Sequence, residues 1–159
     1  MKIRHATKED SRIISELLIS LTKRFIASGF TAAGVKNLIH SMQPEAIAYY
    51  FDQGYRYHVG EIENIVMGVV GTHDNSHLYH LFVEESEQGN GYSTQLWEVA
   101  KAACIAEGNN GIFTVNSSLN AQEVYKCWGF VPIGGIRESG GVKDIPMKLD
   151  LDQRSTSCT

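Results

Sequence analysis

A glycine-rich turn is the first stretch of this sequence that could bind a ligand. The apolar run from His77 to Val83 leads into Gln88-Gly-Asn-Gly-Tyr-Ser, and apolar residues then recur at helical spacing. A strand that enters a helix through such a turn leaves the first helical N–H groups unpaired, and these groups suit a phosphate or pyrophosphate. Gly89 and Gly91 can adopt positive φ and lack a Cβ, so a ligand can approach the backbone closely. The pattern alone also fits a plain turn.

Two side chains could move protons near that turn. The phenol of Tyr125 has an ordinary pKa of ~10, so it is protonated at neutral pH and can donate to a leaving group. Tyr125 also fits a simple packing role on the buried stripe of a helix. The imidazole of His77, with an ordinary pKa of ~6.5, can accept a proton directly or through water. His73 and His80 are alternatives, and strand alternation predicts that His80 faces away from His77.

A second segment, taken together with the loop, resembles one known family. Gln88 to Ser93 is similar to the Gln/Arg-x-x-Gly-x-Gly/Ala loop with which GCN5-related N-acetyltransferases (GNAT) hold coenzyme A. Val115 to Phe130 resembles the second cofactor segment of that family: a strand ending in Val-Asn, a short helix carrying Ala and Tyr, and a closing Gly-Phe. Ser93 stands where the family has Gly or Ala, and Asn90 where it often has Arg or Lys. The closing Gly129-Phe130 and the later Ile145-Pro146-Met147 resemble the small bacterial-type, single-domain members of the family.

The resemblance implies an α/β (α+β) fold of the GNAT type. It predicts a mixed, mostly antiparallel twisted sheet of about six to seven strands, flanked by about four helices. The sheet is expected to be splayed between the His77 strand and the next strand. Residues 1–151 would form one domain, and residues 152–159 a frayed tail.

The resemblance also implies acetyl-CoA as cofactor and a set of site residues. The implied cofactor contacts are Leu81, Phe82 and Val83 for the pantetheine arm, Gln88, Gly89, Asn90, Gly91, Tyr92, Ser93 and Thr94 for the pyrophosphate, and Asn116, Ser118 and Asn120 from the opposite side. Tyr125 occupies the place of the usual general acid, and His77 lies on the strand where some members carry a catalytic carboxylate. Arg24, Phe25 and Phe30 fall in the region that overhangs the acceptor pocket.

Two function classes therefore compete. The first is an enzyme that transfers acetyl from acetyl-CoA to a primary amine of a small molecule or peptide, by direct attack, with Tyr125 as acid. The second is a non-catalytic acyl-CoA-binding or sensing module with the same cleft. A nucleic-acid partner is disfavoured by the net charge of -4 and the lack of basic clustering. A homodimer is compatible with such a domain, although no sequence feature requires one.

Composition limits the remaining options. A chain of 159 residues that is 43% apolar can bury a core without cross-links. The N-terminus lacks an apolar signal core and no run approaches the ~20 residues of a membrane span, which predicts a cytoplasmic protein away from membranes. The three cysteines lack paired spacing, which favours reduced thiols and no metal site.

Local signals predict the elements that must position these groups. Thr7 with Asp10 forms a capping box, Thr31 caps a second helix and Pro44 opens a third. Period-two runs from Tyr55 to Val83, broken at Glu63-Asn64 and Asp74-Asn75-Ser76, predict an antiparallel meander. Asn120 and Glu123 form a cap-like pair before the Tyr125 helix. Phe130–Ile136 and Val142–Leu149 predict a terminal hairpin.

Overall fold

One mixed sheet runs through the protein in a computed structural model that describes residues 1–26 and 30–153, without the side chains of residues 25 and 26. Its eight strands follow the order β1-β2-β3-β4-β5-β8-β6, with β7 also paired to β8. The strands are β1 (Lys2–His5), β2 (Arg56–Ile62), β3 (Ile65–His73), β4 (His77–Val83), β5 (Ile112–Ser117), β6 (Val131–Pro132), β7 (Arg137–Ser139) and β8 (Val142–Asp150). All pairs are antiparallel except β4 with β5. The predicted fold class is confirmed.

The first three helical segments begin at the signals of Thr7, Thr31 and Pro44, as the sequence predicts. Among the described residues the α-helices are α1 (Ser11–Leu21), α2 (Ala32–His40), α3 (Pro44–Asp52), α4 (Tyr92–Ala106) and α5 (Gln122–Cys127). The Thr31 hydroxyl accepts from the Gly34 N–H at 3.0 Å and caps α2. The capping box of Thr7 and Asp10 opens a 3₁₀ turn, Lys8–Asp10, that leads into α1. A π-helical turn, Thr22–Ile26, ends the first helical segment.

The meander β2-β3-β4 follows from two tight turns. Glu63 and Asn64 have φ of 52° and 66°, and Asp74 and Asn75 have φ of 54° and 56°. Positive φ at both central residues is the mark of a type I′ turn, whose twist matches that of the adjoining strands. Both predicted turns therefore lie where the sequence put them.

The sheet is splayed between β4 and β5. These parallel strands pair only at His77 with Thr114 and at Leu78 with Val115. Beyond Leu78 the remaining residues of β4 have no partner in β5, so the two strands separate toward their carboxyl ends. This separation, predicted from the family resemblance, opens a cleft in the middle of the sheet.

A β-bulge at Tyr79 changes which way β4 presents its histidines. His80 pairs with Gly71 and Leu78 with Thr72, so Tyr79 is the extra residue. Because paired residues of antiparallel strands share a face, His77 and His80 lie on the same face of the sheet. The alternation argument, which placed them on opposite faces, is wrong because it could not include the bulge.

Each face of the sheet carries its own core. On one face, α4 and the segment around α5 cover a cluster that includes Trp97, Phe113 and Met147. On the other, α1 and α3 cover a cluster that includes Ile14, Ile47 and Tyr57. The two clusters hold β4 from both sides and so fix the wall of the cleft.

The predicted terminal hairpin forms, because β6 and β7 both pair antiparallel with β8, although residues 133–136 interrupt its first strand. Two other local expectations are wrong. Helix α5 begins at Gln122 with Ala121 at its N-cap, so Asn120 does not cap it. Cys104 is free and buried, but Cys127 is disulfide-bonded, contrary to the expectation of reduced thiols.

No helix in the described part of the chain is long and apolar enough to cross a bilayer.

Buried His58 makes the fold sensitive to acid. Its side chain is 7% exposed, and Nδ1 has no hydrogen-bond partner among the described residues. Burial lowers the pKa of His58 to about 4. The unfolded chain, with a His pKa of ~6.5, therefore takes up the proton first, and stability falls as the pH drops from ~6.5 toward 4.

We expect His58→Leu to remove one histidine's share of this loss, a limiting slope of about 1.4 kcal/mol per pH unit, while buried His80 keeps its own share. Urea unfolding at pH 7.5 and 5.0 measures it in the wild type and the variant. An equal acid loss in both proteins would show that His58 is not responsible.

Candidate functional site

A cavity of about 960 Å³ occupies the cleft between β4 and β5. Its walls come from the ends of α1 and α2, from β4, from the loop before α4, from the segment that joins β5 to α5, and from the start of β8. The lining residues include Leu21, Phe30, Leu38, Ser41, Met42, His77 to Val83, Glu87 to Gly89, Gly91 to Ser93, Val115, Asn116, Ser118 to Ala121, Val124, Tyr125 and Val142 to Asp144.

The N-terminus of α4 offers a backbone site for an anion. Gly91 is the N-cap residue, with φ of 77°, and Gly89 has φ of 86°. A Cβ built at either glycine would meet no atom within 4 Å, so both face open space. The first helical N–H groups, those of Tyr92 to Thr94, have no partner within the helix. They and the positive end of the helix dipole suit a diphosphate.

Side chains of the same loop hold its shape. The Gln88 side-chain amide donates to the carbonyl of Val83 at 3.1 Å, which ties the loop to the end of β4. The Asn90 amide donates to the Glu87 carbonyl at 3.3 Å. The side chains of Asn90 and Thr94 are exposed, and neither residue lines the cavity. Of the seven predicted loop contacts, these two are the ones that the structure does not bring to the cavity.

The splayed strands supply a groove that leads from this loop into the sheet. Leu81, Phe82 and Val83 line the cavity along the edge of β4 that β5 leaves unpaired. Asn116 and Ser118 line the opposite side. An extended amide-containing arm can bond to a free strand edge as an added strand would. The groove and the anion site together fit coenzyme A.

Tyr125 lies on α5 with its ring in the core and lines the cavity. The ring packs edge-on against Trp128 and Phe130, at centroid distances of 5.7 and 5.6 Å. Burial raises the pKa of Tyr125 to about 12. The phenol is therefore fully protonated at neutral pH and can act as a proton donor in the cavity.

His77 lies on the other side of the splay, at the start of β4. Its Nδ1 is 2.7 Å from the Thr114 hydroxyl on β5. Burial lowers the pKa of His77, and the neighbouring His73, with its ring centroid 4.7 Å away, lowers it further. A neutral imidazole whose Nδ1–H donates to Thr114 would keep Nε2 free to accept a proton.

The polar groups of two other cavity residues are already paired. His80 is buried, its Nδ1 is 2.9 Å from the Tyr57 hydroxyl, and desolvation lowers its pKa to about 3. The Tyr79 phenol donates to the Tyr50 hydroxyl at 3.2 Å. These pairings leave Tyr125 and His77 as the better candidates for proton transfer.

The three predicted acceptor residues are not brought together. Phe30 lines the cavity. Arg24 does not, because its guanidinium pairs with Glu84 at 2.8 Å and Glu85 at 3.4 Å on the outside of the loop. The side chain of Phe25 lies outside the described part of the structure.

Sequence reasoning missed several residues of this site. Thr114 is a polar residue in a short buried strand, which is a signal that could have marked it as a partner of His77. The cavity is also lined by Leu38, Met42 and the start of β8, because α2 and the hairpin fold over β4. No local sequence pattern predicts this tertiary contact.

Comparisons with known proteins agree with this geometry. The family model for an acetyltransferase (GNAT) domain matches residues 26–151. No curated protein matches the sequence significantly. The structure of a GCN5-related N-acetyltransferase (aminotransferase, class-II) from Rhodopseudomonas palustris is similar to this chain, with a TM-score of 0.82 and 18% identity over 94% of this chain and 95% of that one.

Two further solved structures share the fold. The PaiA N-acetyltransferase of Thermoplasma acidophilum, in complex with coenzyme A, has a TM-score of 0.73 and 14% identity, over 92% of this chain and 96% of that one. The ribosomal-protein-alanine N-acetyltransferase of Brucella melitensis has a TM-score of 0.67 and 17% identity, over 95% of this chain and all of that one (100%).

Proposed function

Because the chain belongs to the GNAT acetyltransferase family, we propose that it transfers an acetyl group from acetyl-CoA to a primary amine. The single observation that supports this most is the cavity itself. It brings the N-terminus of α4, the unpaired edge of β4, Tyr125 and His77 to one continuous space.

The proposed cofactor site follows the groove. The N–H groups of Tyr92 to Thr94 would hold the diphosphate, with Gly89 and Gly91 allowing close approach. The edge of β4 at Leu81 to Val83 would hold the pantetheine arm, with Asn116, Ser118 and Asn120 facing it. When bound, acetyl-CoA supplies an acetyl group activated as a thioester.

Two residues would move the protons of the transfer. As the C–N bond forms and the C–S bond breaks, His77 would accept the proton that the amine loses, directly or through water. Tyr125 would donate its phenolic proton to the departing sulfur. The raised pKa of Tyr125 and the lowered pKa of His77 keep one protonated and the other neutral at the start of each cycle.

The cofactor site is tested by comparing two glycines that both have positive φ. Gly91 and Gly108 have φ of 77° and 100°, and a Cβ at either meets no atom within 4 Å. Gly91 lines the cavity and Gly108 does not. Alanine at either position carries a similar conformational cost, but only at Gly91 would its Cβ enter the space proposed for the diphosphate.

We expect Gly91→Ala to weaken coenzyme A binding about tenfold or more, equivalent to ~1.4 kcal/mol. Gly108→Ala should lose similar thermal stability but keep wild-type affinity. Isothermal titration calorimetry of the three proteins gives the affinities. No binding heat with the wild type at millimolar coenzyme A would refute the proposed cofactor.

A turnover assay distinguishes the proposed enzyme from the alternative, a non-catalytic acyl-CoA-binding or sensing module. Release of free thiol from acetyl-CoA is measured over a panel of amines and N-terminal peptides. Binding of coenzyme A without thiol release on any acceptor favours the module. Acetylated amine identified by mass spectrometry establishes the enzyme.

The remaining proposals concern the setting of the reaction. We propose that the chain acts in the cytoplasm on a small molecule or peptide, without nucleic acid or membrane partners. A homodimer is an expectation that sedimentation of the full chain tests directly.

A further inference from the structure

Helix α2 and the β7–β8 hairpin meet above the cleft. The backbone N–H of Thr31 donates to the Gly141 carbonyl at 3.3 Å, and the Asn37 amide donates to the Gly140 carbonyl at 3.3 Å. A Cβ at Gly34 would overlap the Gly141 carbonyl, so the two backbones touch. We call this contact, made by Thr31, Gly34, Asn37, Gly140 and Gly141, the α2–hairpin bridge.

We take the end of the cavity that contains His77 as the acceptor end; the bridge residues do not line it, but residues next to them do. On the helix side, Phe30, Leu38 and Met42 line the cavity next to the bridge, and on the hairpin side Val142 to Asp144 do so. The residues of β4 that carry His77 and Tyr79 form the wall beneath. Described parts of the chain therefore lie on the helix side, the hairpin side and the β4 side of this end of the cavity.

The inner surface of this end is mostly apolar and aromatic, with Ser41 and Lys143 among its polar lining residues. Leu21, Phe30 and Leu38 line it from the helices, and Tyr79 lines it from β4. Within the described lining the carboxylates are Glu87, on the loop before α4, and Asp144, which pairs with Arg137 at 2.9 Å. One carboxylate belongs to the cofactor loop and the other already has a cation. A second ammonium group on an acceptor would find no free carboxylate in this part of the cavity.

We propose that the acceptor is a small primary amine with an apolar body, admitted beneath the α2–hairpin bridge. The proposal rests on the proposed acetyl transfer and narrows its acceptor. It excludes polyamines, which need several anionic partners along their length, and the N-terminus of a peptide or protein, because the bridge would block the residues that follow the amino group. The apolar body would pack on Phe30, Leu38 and Met42 and leave the amino group directed to His77.

Binding and turnover with three probes test the proposal. Protein saturated with coenzyme A is titrated with 2-phenylethylamine, spermidine and a hexapeptide with a free N-terminus, and initial rates with acetyl-CoA are measured for each. We expect 2-phenylethylamine to bind and react at least tenfold better than the other two. Equal or better binding of spermidine or the peptide would overturn the proposal while leaving acetyl transfer intact.

Loosening the bridge gives the second arm of the test. Gly34→Ala forces α2 away from Gly141, and Asn37→Ala removes one bridge hydrogen bond by shortening an exposed side chain, which adds no bulk. Both should reduce the preference for 2-phenylethylamine over the peptide severalfold, and Asn37→Ala keeps the test valid if Gly34→Ala does not fold. An unchanged preference in both folded variants would overturn the role of the bridge.

The same experiment distinguishes a failure of the proposed acetyl transfer from a failure of the proposed acceptor. Absence of coenzyme A binding would refute the proposed function itself. Coenzyme A binding without binding of any of the three amines would overturn the acceptor proposal alone.

Discussion

Tyr125→Phe is expected to slow acetyl transfer about 10²-fold or more, the size typical of a lost general acid, while the affinity for coenzyme A stays nearly unchanged. The substitution removes only the phenolic oxygen. The ring contacts with Trp128 and Phe130, which hold α5 in the core, are kept. The effect should therefore appear in kcat and not in thermal stability.

Tyr79→Phe is the matched control for this experiment. Tyr79 also lines the cavity, but its phenol donates to Tyr50 and is not free to donate to a leaving thiolate. Its loss should change kcat only a few fold. If Tyr125→Phe were as active as Tyr79→Phe, the proton would have to come from elsewhere, and Tyr125 would be a core residue only.

The features that the sequence predicts correctly are those that depend on local sequence patterns. The capped start of α2 at Thr31, the type I′ turns at Glu63-Asn64 and Asp74-Asn75, and the glycine-rich entry to α4 each depend on residues close in sequence. The cofactor groove was predicted for the same reason, because both of its segments carry recognisable motifs. In each case local chemistry and the final fold agree.

The parts that the sequence did not predict depend on contacts between distant residues. The bulge at Tyr79 exists because β3 and β4 change register between Gly71 and Thr72, and nothing in β4 alone shows it. It places His77 and His80 on one face, against the alternation argument. The bridge likewise needs two glycines, Gly34 and Gly141, that are remote in the chain and meet only in the folded structure.

Arg24 shows why nearness in sequence to a pocket is a weak guide. Its position after α1 suggested an acceptor contact. In the structure the Arg24 guanidinium instead forms ion pairs with Glu84 and Glu85, in the loop that precedes α4. This pairing offsets two carboxylates close to a segment proposed to hold a diphosphate, so Arg24 supports the loop from outside.

The two proposed proton-transfer residues come from elements on either side of the splay in the sheet. His77 belongs to β4, before the chain enters the anion-binding loop, and Tyr125 belongs to α5, after β5. Strands β4 and β5 pair with each other only at the His77 end. The open end is thus left for the cofactor arm, and the closed end anchors the proposed base through Thr114.

His77→Gln is expected to lower kcat/KM at pH 8 about 10²-fold, the lower range for loss of a general base. In the wild type, burial and the nearby His73 lower the pKa of His77. The imidazole therefore stays neutral, and active, to lower pH than an ordinary histidine, and the acidic limb of the rate profile should have its midpoint below ~6.5. This limb should be absent in the glutamine variant.

His73→Gln is the matched control, because His73 lies 4.7 Å from His77 between ring centroids but does not line the cavity. Removing this neighbour takes away a repulsive charge, so the pKa of His77 should rise. The acidic limb of kcat/KM should then move to higher pH, while the rate at pH 8 stays within a few fold of wild type. If His73→Gln abolished the rate and His77→Gln did not, His73 would be the base.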